Sequence, residues 1–369
     1  MTENNSLFQR ALRRIEENRN RDYNCLSFES LFPKFSEFLP GIMQKTYYLI
    51  TANSKAGKTQ ITDYMFLYHP YNFIKNNPNS NIKIKIFYFS LEMDLESKIT
   101  AGISKHIYEN DKLVVPVNQI LSMNRKNRLT DDVYQKILSA EKYFEELQDY
   151  LVISDAQQNP TGIYKQMYKY AMDNGKIITK TINIKDPDTG NESTREIFDY
   201  YIPNNPDEYV IILTDHLAEL TTESGKDIKG TMEKHSDYMR ILRNMFGYIP
   251  VDVQQQAAAQ ESLDKFKANK LEPSIEGLGE TKLTARKANV ILGLFSPAIH
   301  EIPKYRGYNI EKLLDNYRNL SIIRQRNGIS GVNVGLYFNG ACNYFKELPR
   351  GVDMTDAHYS AIEKLKGEG

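Results

Sequence analysis

Thr46–Thr59, TYYLITANSKAGKT, decides how the rest of the chain is read. Tyr47 to Ile50 is an apolar run of strand type. A loop of small and polar residues follows, Ala52-Asn53-Ser54-Lys55-Ala56-Gly57, then Lys58, Thr59 and a helical pattern through Ile61, Met65 and Phe66. Strand, loop ending in Gly-Lys-Thr, helix is the order a phosphate-binding loop requires. Successive loop N–H groups wrap the phosphates, and the helix N-terminus adds its dipole. In that pattern Lys58 reaches the β- and γ-phosphates and the Thr59 hydroxyl ligates Mg²⁺. Ala52, Asn53, Ser54, Lys55, Ala56, Gly57, Lys58 and Thr59 are therefore the expected nucleotide-binding residues. Ala52 stands where the pattern has its first glycine, while the crowded position next to the lysine keeps Gly57.

Composition narrows the setting. A length of 369 residues admits one large domain or two ordinary ones, and a hydrophobic fraction of 41% can bury a sizeable core. Basic and acidic residues number 47 each, so a nucleic-acid site has to be a local patch and not a whole-protein field. Cys25 and Cys342 are too few for a disulfide scaffold or a zinc site and suit a reducing compartment. No apolar run approaches the ~20 residues a membrane span needs. The polar, charged N-terminus does not read as a secretory signal, and the expected location is the cytoplasm.

Beyond the opening stretch, Ile82–Leu91 (IKIKIFYFSL), Leu151–Ser154, Tyr209–Thr214, Pro250–Val253, Val290–Phe295 and Leu320–Ile323 read as strands. Helical patterns cover Leu95–Tyr108, 130–149, Thr161–Met172 and Met232–Met245. Such alternation predicts an α/β fold with a mostly parallel central sheet. Ile177–Ile184 and Thr194–Tyr201, joined by Lys185–Asn191, read as a β-hairpin inserted at 176–207. Gly331–Phe338 and Ala341–Phe345 read as a closing hairpin. The tail from Gly351 is charged and peripheral in this reading, with a helical pattern over Ala357–Leu365. At the other end, Leu7, Phe8, Ala11, Leu12 and Ile15 form the apolar stripe of an amphipathic helix, with Arg10, Arg13, Arg14, Glu16 and Glu17 opposite. That stripe fits packing on its own domain or docking on a neighbouring subunit.

In parallel α/β sheets ligands sit at the carboxyl ends of strands. Lys58 and Thr59 follow the first strand, Glu92 the second, Asp215 the strongest apolar run and Gln256 the next strand. Arg324 and Arg326 follow a later one. Together they form the inventory of a nucleotide hydrolase: cations for phosphates, a carboxylate for Mg²⁺ and a base for water. Asp215 suits the metal carboxylate, Glu92 the group that polarises water, and Gln256 a sensor of the γ-phosphate. Each has a plainer reading: a turn-capping Asp, an acid favoured by a helix dipole, one member of a polar loop.

The motifs resemble, in order, those of the ATPase domain of DnaB-type hexameric replicative helicases, which has a RecA-like core. ANSKAGKT (Ala52–Thr59) matches the P-loop, and FYFSLEM (Phe87–Met93) the second-strand motif whose Glu is the catalytic base. IILTDHLAEL (Ile211–Leu220) is similar to the Walker B strand, and IPVDVQQQ (Ile249–Gln256) to the strand ending in the coupling Gln. IIRQRNGISG (Ile322–Gly331) is similar to the segment that reaches a neighbour's ATP site. The resemblance implies Glu92 as base, Asp215 with Thr59 on Mg²⁺, Gln256 as coupler, and Arg324 and Arg326 acting in trans. It also implies ATP as substrate, a homo-oligomeric ring, single-stranded DNA in its channel, and replisome partners such as a primase or loader.

The implied organisation is a linker helix at 1–26 that docks on the adjacent subunit, a RecA-like domain at 27–348 and a tail at 349–369. DNA-facing loops would follow Asp215 (Thr221–Met232, with Lys226 and Lys229) and Gln256 (Ser262–Lys287, with Lys265, Lys267, Lys270, Lys282, Arg286 and Lys287). Basic loops of this kind track phosphates with little sequence preference. Three departures stand out. Ala257-Ala258-Ala259 replaces Leu-Asn-Arg, His216 replaces Tyr, and only 26 residues precede the core where the family has a helical collar domain. The last suggests a compact, virus-encoded relative working in a host cytoplasm. A RecA-like recombinase or filament ATPase, and a non-motor ATP-binding scaffold or loader, share much of this inventory.

Overall fold

A computed structural model describes residues 7–156, 158–185, 192–268 and 270–365. Three strands come first: β1 (Tyr48–Ala52), β2 (Lys83–Ser90) and β3 (Leu151–Ser154). β4 (Gly175–Lys185) and β5 (Glu192–Pro203) pair only with each other. The series continues with β6 (Glu208–Asp215), β7 (Ile249–Gln255), β8 (Val290–Phe295), β9 (Tyr317–Gln325), β10 (Val332–Asn339) and β11 (Tyr344–Glu347). All but the β4–β5 pair join one nine-stranded sheet, in the order β11-β10-β9-β8-β1-β7-β6-β2-β3. From β8 to β3 every neighbour is parallel. β9, β10 and β11 extend the β8 side as an antiparallel meander.

The parallel strands are continuous apolar runs because both faces of the sheet are covered. Tyr48, Ile50, Ile86, Tyr88, Ile211 and Leu213 point into one hydrophobic cluster. Their alternates Tyr47, Leu49, Phe87, Phe89, Val210 and Ile212 point into the other. On the first face lies the helix that follows the P-loop. It starts as α-helix at Lys58–Thr62, passes through a π-helical segment at Asp63–Tyr68 and resumes at His69–Asn76. On the second face lie the helices Pro160–Asp173 and Ile228–Phe246.

Two expectations are adjusted. The 130–149 pattern forms two helices, Asp131–Ser139 and Glu141–Gln148, hinged at Ala140. Ala140 is fully buried, and Phe144 and Leu147 of the second helix join the core. The tail is docked and not peripheral: within Asp356–Leu365, Ile362 is buried in a satellite cluster with Tyr308 and Leu313. The Tyr108 hydroxyl also donates to the Leu365 carbonyl at 3.0 Å. The inserted hairpin pairs from Gly175↔Pro203 to Lys185↔Glu192 with a register shift between Ile178 and Thr179, and most of its expected turn, 186–191, lies outside the described residues. Its base is tied down by the Tyr201 hydroxyl on Ala171 O at 2.9 Å and by Tyr201 edge-on to Phe246.

The N-terminal helix is present at Leu7–Arg19, with residues 1–6 outside the described set. Phe8 is 70% and Ile15 63% exposed, so its apolar stripe is not packed on its own domain.

Candidate active site

The P-loop leaves β1 at Ala52 and turns into the helix through Gly57, whose φ of 100° lies in the left-handed region that a side chain would strain. Asn53, Ala56 and Gly57 are buried, Lys58 and Thr59 half-buried, and Ser54 and Lys55 exposed. An arginine that the sequence reading passed over holds the loop from beneath. Arg318, on β9, is 1% exposed and donates through Nε to the Ala56 carbonyl at 2.7 Å. Its Nη1 donates to the Asp315 and Tyr317 carbonyls, its Nη2 pairs with the Asp315 carboxylate at 2.9 Å, and its guanidinium stacks on Phe338. From above, Asn53 Nδ2 donates to Leu271 O at 3.2 Å, and the Ser54 N–H donates to Glu261 Oε1 at 3.2 Å.

Glu92 and Asp215 emerge side by side, because β2 and β6 are paired so that Ser90 faces Asp215. Glu92 is half-exposed, and the His216 ring nitrogen Nε2 stands 3.6 Å from its carboxylate and 3.7 Å from that of Glu219. The other ring nitrogen accepts from the Ala218 N–H, which fixes the ring. Asp215 is 2% exposed. Its Oδ2 lies 3.4 Å from Lys98 Nζ and 3.3 Å from the Tyr88 hydroxyl, while Oδ1 is buried without a partner. Lys98 also pairs with Asp63 at 3.1 Å, and Tyr88 lies 2.6 Å from Asp63 Oδ1. Burial pushes the Asp63 carboxyl above its usual range, against the pull of the Lys98 charge. Burial likewise pushes the Tyr88 hydroxyl well up, so it stays a proton donor. Asp63 and Lys98 were not anticipated. The available signal is that Asp63 falls four residues after Thr59, on the same helical face.

Gln256 sits at the end of β7 beside the P-loop strand. Its amide is engaged within the protein: Nε2 donates to Thr51 Oγ1 at 2.9 Å and Ser274 O at 3.0 Å, and Oε1 accepts from Ser274 N. It thereby joins β1 to the segment between β7 and β8.

Arg324 and Arg326 do not join this group. β9 runs antiparallel to β8, so its carboxyl end lies at the opposite edge of the sheet. Arg324 pairs with Ile291, which pairs with Leu49, three residues before Ala52. That places it roughly 10 Å along the strands from the P-loop, and Arg326 further still. Arg324 donates to the Ala285 and Ala288 carbonyls, Arg326 to the Arg286 carbonyl, and Arg326 is exposed. A groove of about 790 Å³ opens beside Arg326 at this edge, lined also by Arg21, Tyr201 and Tyr248.

The basic candidates are dispersed. Asp227 caps the Ile228–Phe246 helix through the Gly230 N–H at 2.7 Å, so Lys229 is helical and only Lys226 lies in the loop before it. Lys265 and Lys267 lie on the short helix Leu263–Lys267, with Lys270 exposed just beyond. Lys282 caps the Leu283–Lys287 helix that carries Arg286 and Lys287. Lys287 is paired with Asp237 at 2.5 Å and faces its own domain. These side chains are therefore not one continuous pair of loops.

The solved ATPase domain of G40P matches 94% of this chain and 100% of that chain, with a TM-score of 0.66 and 17% identity. A structure described as a DnaB-like replicative helicase and its interactions with primase matches 94% of this chain and 69% of that one, with a TM-score of 0.65 and 16% identity. No protein-family model and no curated protein sequence matches the chain. The likeness shows the fold, that of a RecA-like α/β domain. Within that class, it is the form found in the ATPase domains of DnaB-like replicative helicases.

Proposed function

We propose that the protein is an ATP-driven DNA helicase or translocase that hydrolyses Mg-ATP between subunits of a ring, a hexamer, and moves on single-stranded DNA in replication. The observation that carries this reading is the division of the hydrolytic set between opposite edges of one sheet. Lys58, Thr59, Glu92 and Asp215 lie at one edge, Arg324 and Arg326 at the other. In this reading the two arginines, too far from their own chain's Lys58 to act there, serve a neighbour's nucleotide. That requires a head-to-tail contact, which closes as a ring or winds as a filament.

In this site Lys58 and the loop N–H groups hold the phosphates, and Glu92 orients and deprotonates the attacking water. Thr59 and Asp215 would hold Mg²⁺, which neutralises charge on the β- and γ-oxygens. The buried, unpartnered Oδ1 of Asp215 suits that task. Gln256 would report the γ-phosphate to the β7–β8 segment. The exposed stripe of Leu7–Arg19 would dock on the adjacent copy. Lys226, Lys229, Lys265, Lys267, Lys270, Lys282 and Arg286 would follow the DNA backbone. A primase or loader is the expected protein partner and the cytoplasm the expected location; no helix among the described residues is long and apolar enough to cross a membrane.

The test is steady-state ATPase activity with and without single-stranded DNA, with size measured by light scattering. DNA-stimulated turnover in an ATP-dependent ring supports the motor. A filament that cannot unwind a forked duplex would point to a RecA-like recombinase. Assembly without DNA-stimulated turnover would point to a scaffold or loader.

A further inference from the structure

We propose that Lys98 is a resident counter-cation of the Asp63–Asp215 carboxylate pair, and that it makes divalent-metal binding at this site conditional on nucleotide. Lys98 lies on the helix Leu95–Asp111 directly after the Glu92 turn, and it is 3% exposed. Its ammonium contacts both carboxylates, at 3.1 Å for Asp63 and 3.4 Å for Asp215, and also the Tyr88 hydroxyl. A buried ammonium persists only when paired, and two buried carboxylates without a cation repel each other. The three groups therefore satisfy one another before any metal arrives.

What they leave over is a single acceptor, Asp215 Oδ1, which is buried and has no partner. Magnesium is held by one or two carboxylates together with substrate phosphates, seldom by the protein alone. One free carboxylate oxygen beside a fixed ammonium is a poor site for a bare divalent ion. It becomes adequate only when the phosphate oxygens cradled by Lys58 and Thr59 complete the shell. Remove the Lys98 charge, and Asp63 and Asp215 become an acidic pair open to metal.

The inference rests on Asp215 being the metal carboxylate, and the experiment separates the two. Full-length protein is titrated with Mg²⁺ or Mn²⁺ alone and with Mg²⁺ plus a non-hydrolysable ATP analogue, followed by thermal melting and calorimetry. The wild type should melt unchanged in either metal alone and be stabilised by metal with analogue. Lys98→Met should bind the metal alone, with affinity raised roughly tenfold over wild type. Lys98→Arg, which keeps the charge, should restore the wild-type pattern. The double variant Asp63→Asn/Lys98→Met, with one carboxylate left, should fold and show no such gain.

A folded Lys98→Met that gains no metal-only binding overturns the proposal, as does a wild type that already binds the bare ion equally well. Should Lys98→Met fail to fold, Asp63→Asn is decisive. There the ammonium falls to Asp215 alone, so the Mg²⁺ needed for half-maximal analogue binding should rise several-fold; no rise overturns the proposal. A wild type that binds no metal–analogue complex would instead remove the nucleotide site itself, whatever Lys98 does with bare ions.

Discussion

At one edge of the central sheet, four strand ends each contribute to a single site: Lys58 and Thr59 after β1, Glu92 after β2, Asp215 at the end of β6 and Gln256 after β7. At the other edge a single antiparallel strand delivers Arg324 and Arg326 together. The first group is locked from inside. Arg318 holds the P-loop carbonyl, Lys98 and Tyr88 hold Asp215, and Thr51 with Ser274 holds Gln256. The second rests on backbone carbonyls of the Leu283–Ala288 turn, next to an open groove, with the tip residue Ile329 63% exposed. One edge is braced from within by side chains, and the other holds Arg324 half-buried and Arg326 exposed. The contrast teaches that strand direction alone can carry two arginines away from the strand ends that hold Lys58, Glu92 and Asp215.

The strongest way to break this comparison is to disable each edge separately. Lys58→Ala should abolish ATP hydrolysis, and Glu92→Gln should abolish turnover while leaving fluorescent-nucleotide binding intact; steady-state and binding assays check both. Arg326→Ala should lower turnover by about 10³-fold with nucleotide binding kept. Mixing Arg326→Ala with Glu92→Gln subunits should then recover part of the rate, because some interfaces pair an intact Glu92 with an intact Arg326. A mixture that remains inactive would sink the trans assignment.

A buried cluster away from both edges sharpens the contrast. Tyr47, Asp252 on β7 and His235 are joined by hydrogen bonds, with both His235 and Asp252 fully buried. Asp252→Asn should lower stability in urea unfolding by about 1–3 kcal/mol, the scale for leaving a buried hydrogen-bonding group without its partner, with wild-type nucleotide affinity in the folded fraction. The smallest expected effect is at the surface. Lys265→Ala and Lys267→Ala should each reduce the dependence of log K on log salt for single-stranded DNA by about one unit or less, measured by fluorescence anisotropy.

Much of this architecture was legible before any coordinates. The P-loop is a contiguous motif whose conformation depends on neighbours in sequence, so Gly57 was recognisable as a position that needs glycine, although its φ of 100° and not crowding is the reason, since a Cβ there would meet nothing closer than 3.5 Å. The core strands were legible because burial on both faces leaves continuous apolar runs. The inserted hairpin announced itself through two β-rich runs around a turn. Asp63, Lys98 and Arg318 were not legible. Their partners lie far along the chain, as Lys98 to Asp215 and Arg318 to Ala56 illustrate, and a single Lys or Arg in an ordinary helix or strand carries no local mark. Lys229, Arg286 and Lys287 were read as loop residues because a capped helix start and a five-residue helix leave little periodicity to detect.

By itself the sequence determined the strand, glycine turn and helix of Thr46–Thr59, the α/β alternation and the order of the polar groups that end the strands, since each depends on residues within a few positions of one another. The tertiary structure alone decided that β9 runs backward. A strand's apolar pattern is the same in either direction, and only its hydrogen-bonded neighbour sets the sense. That one choice carried Arg324 and Arg326 away from the Lys58 site, while close packing of three distant segments placed the Lys98 ammonium on Asp215.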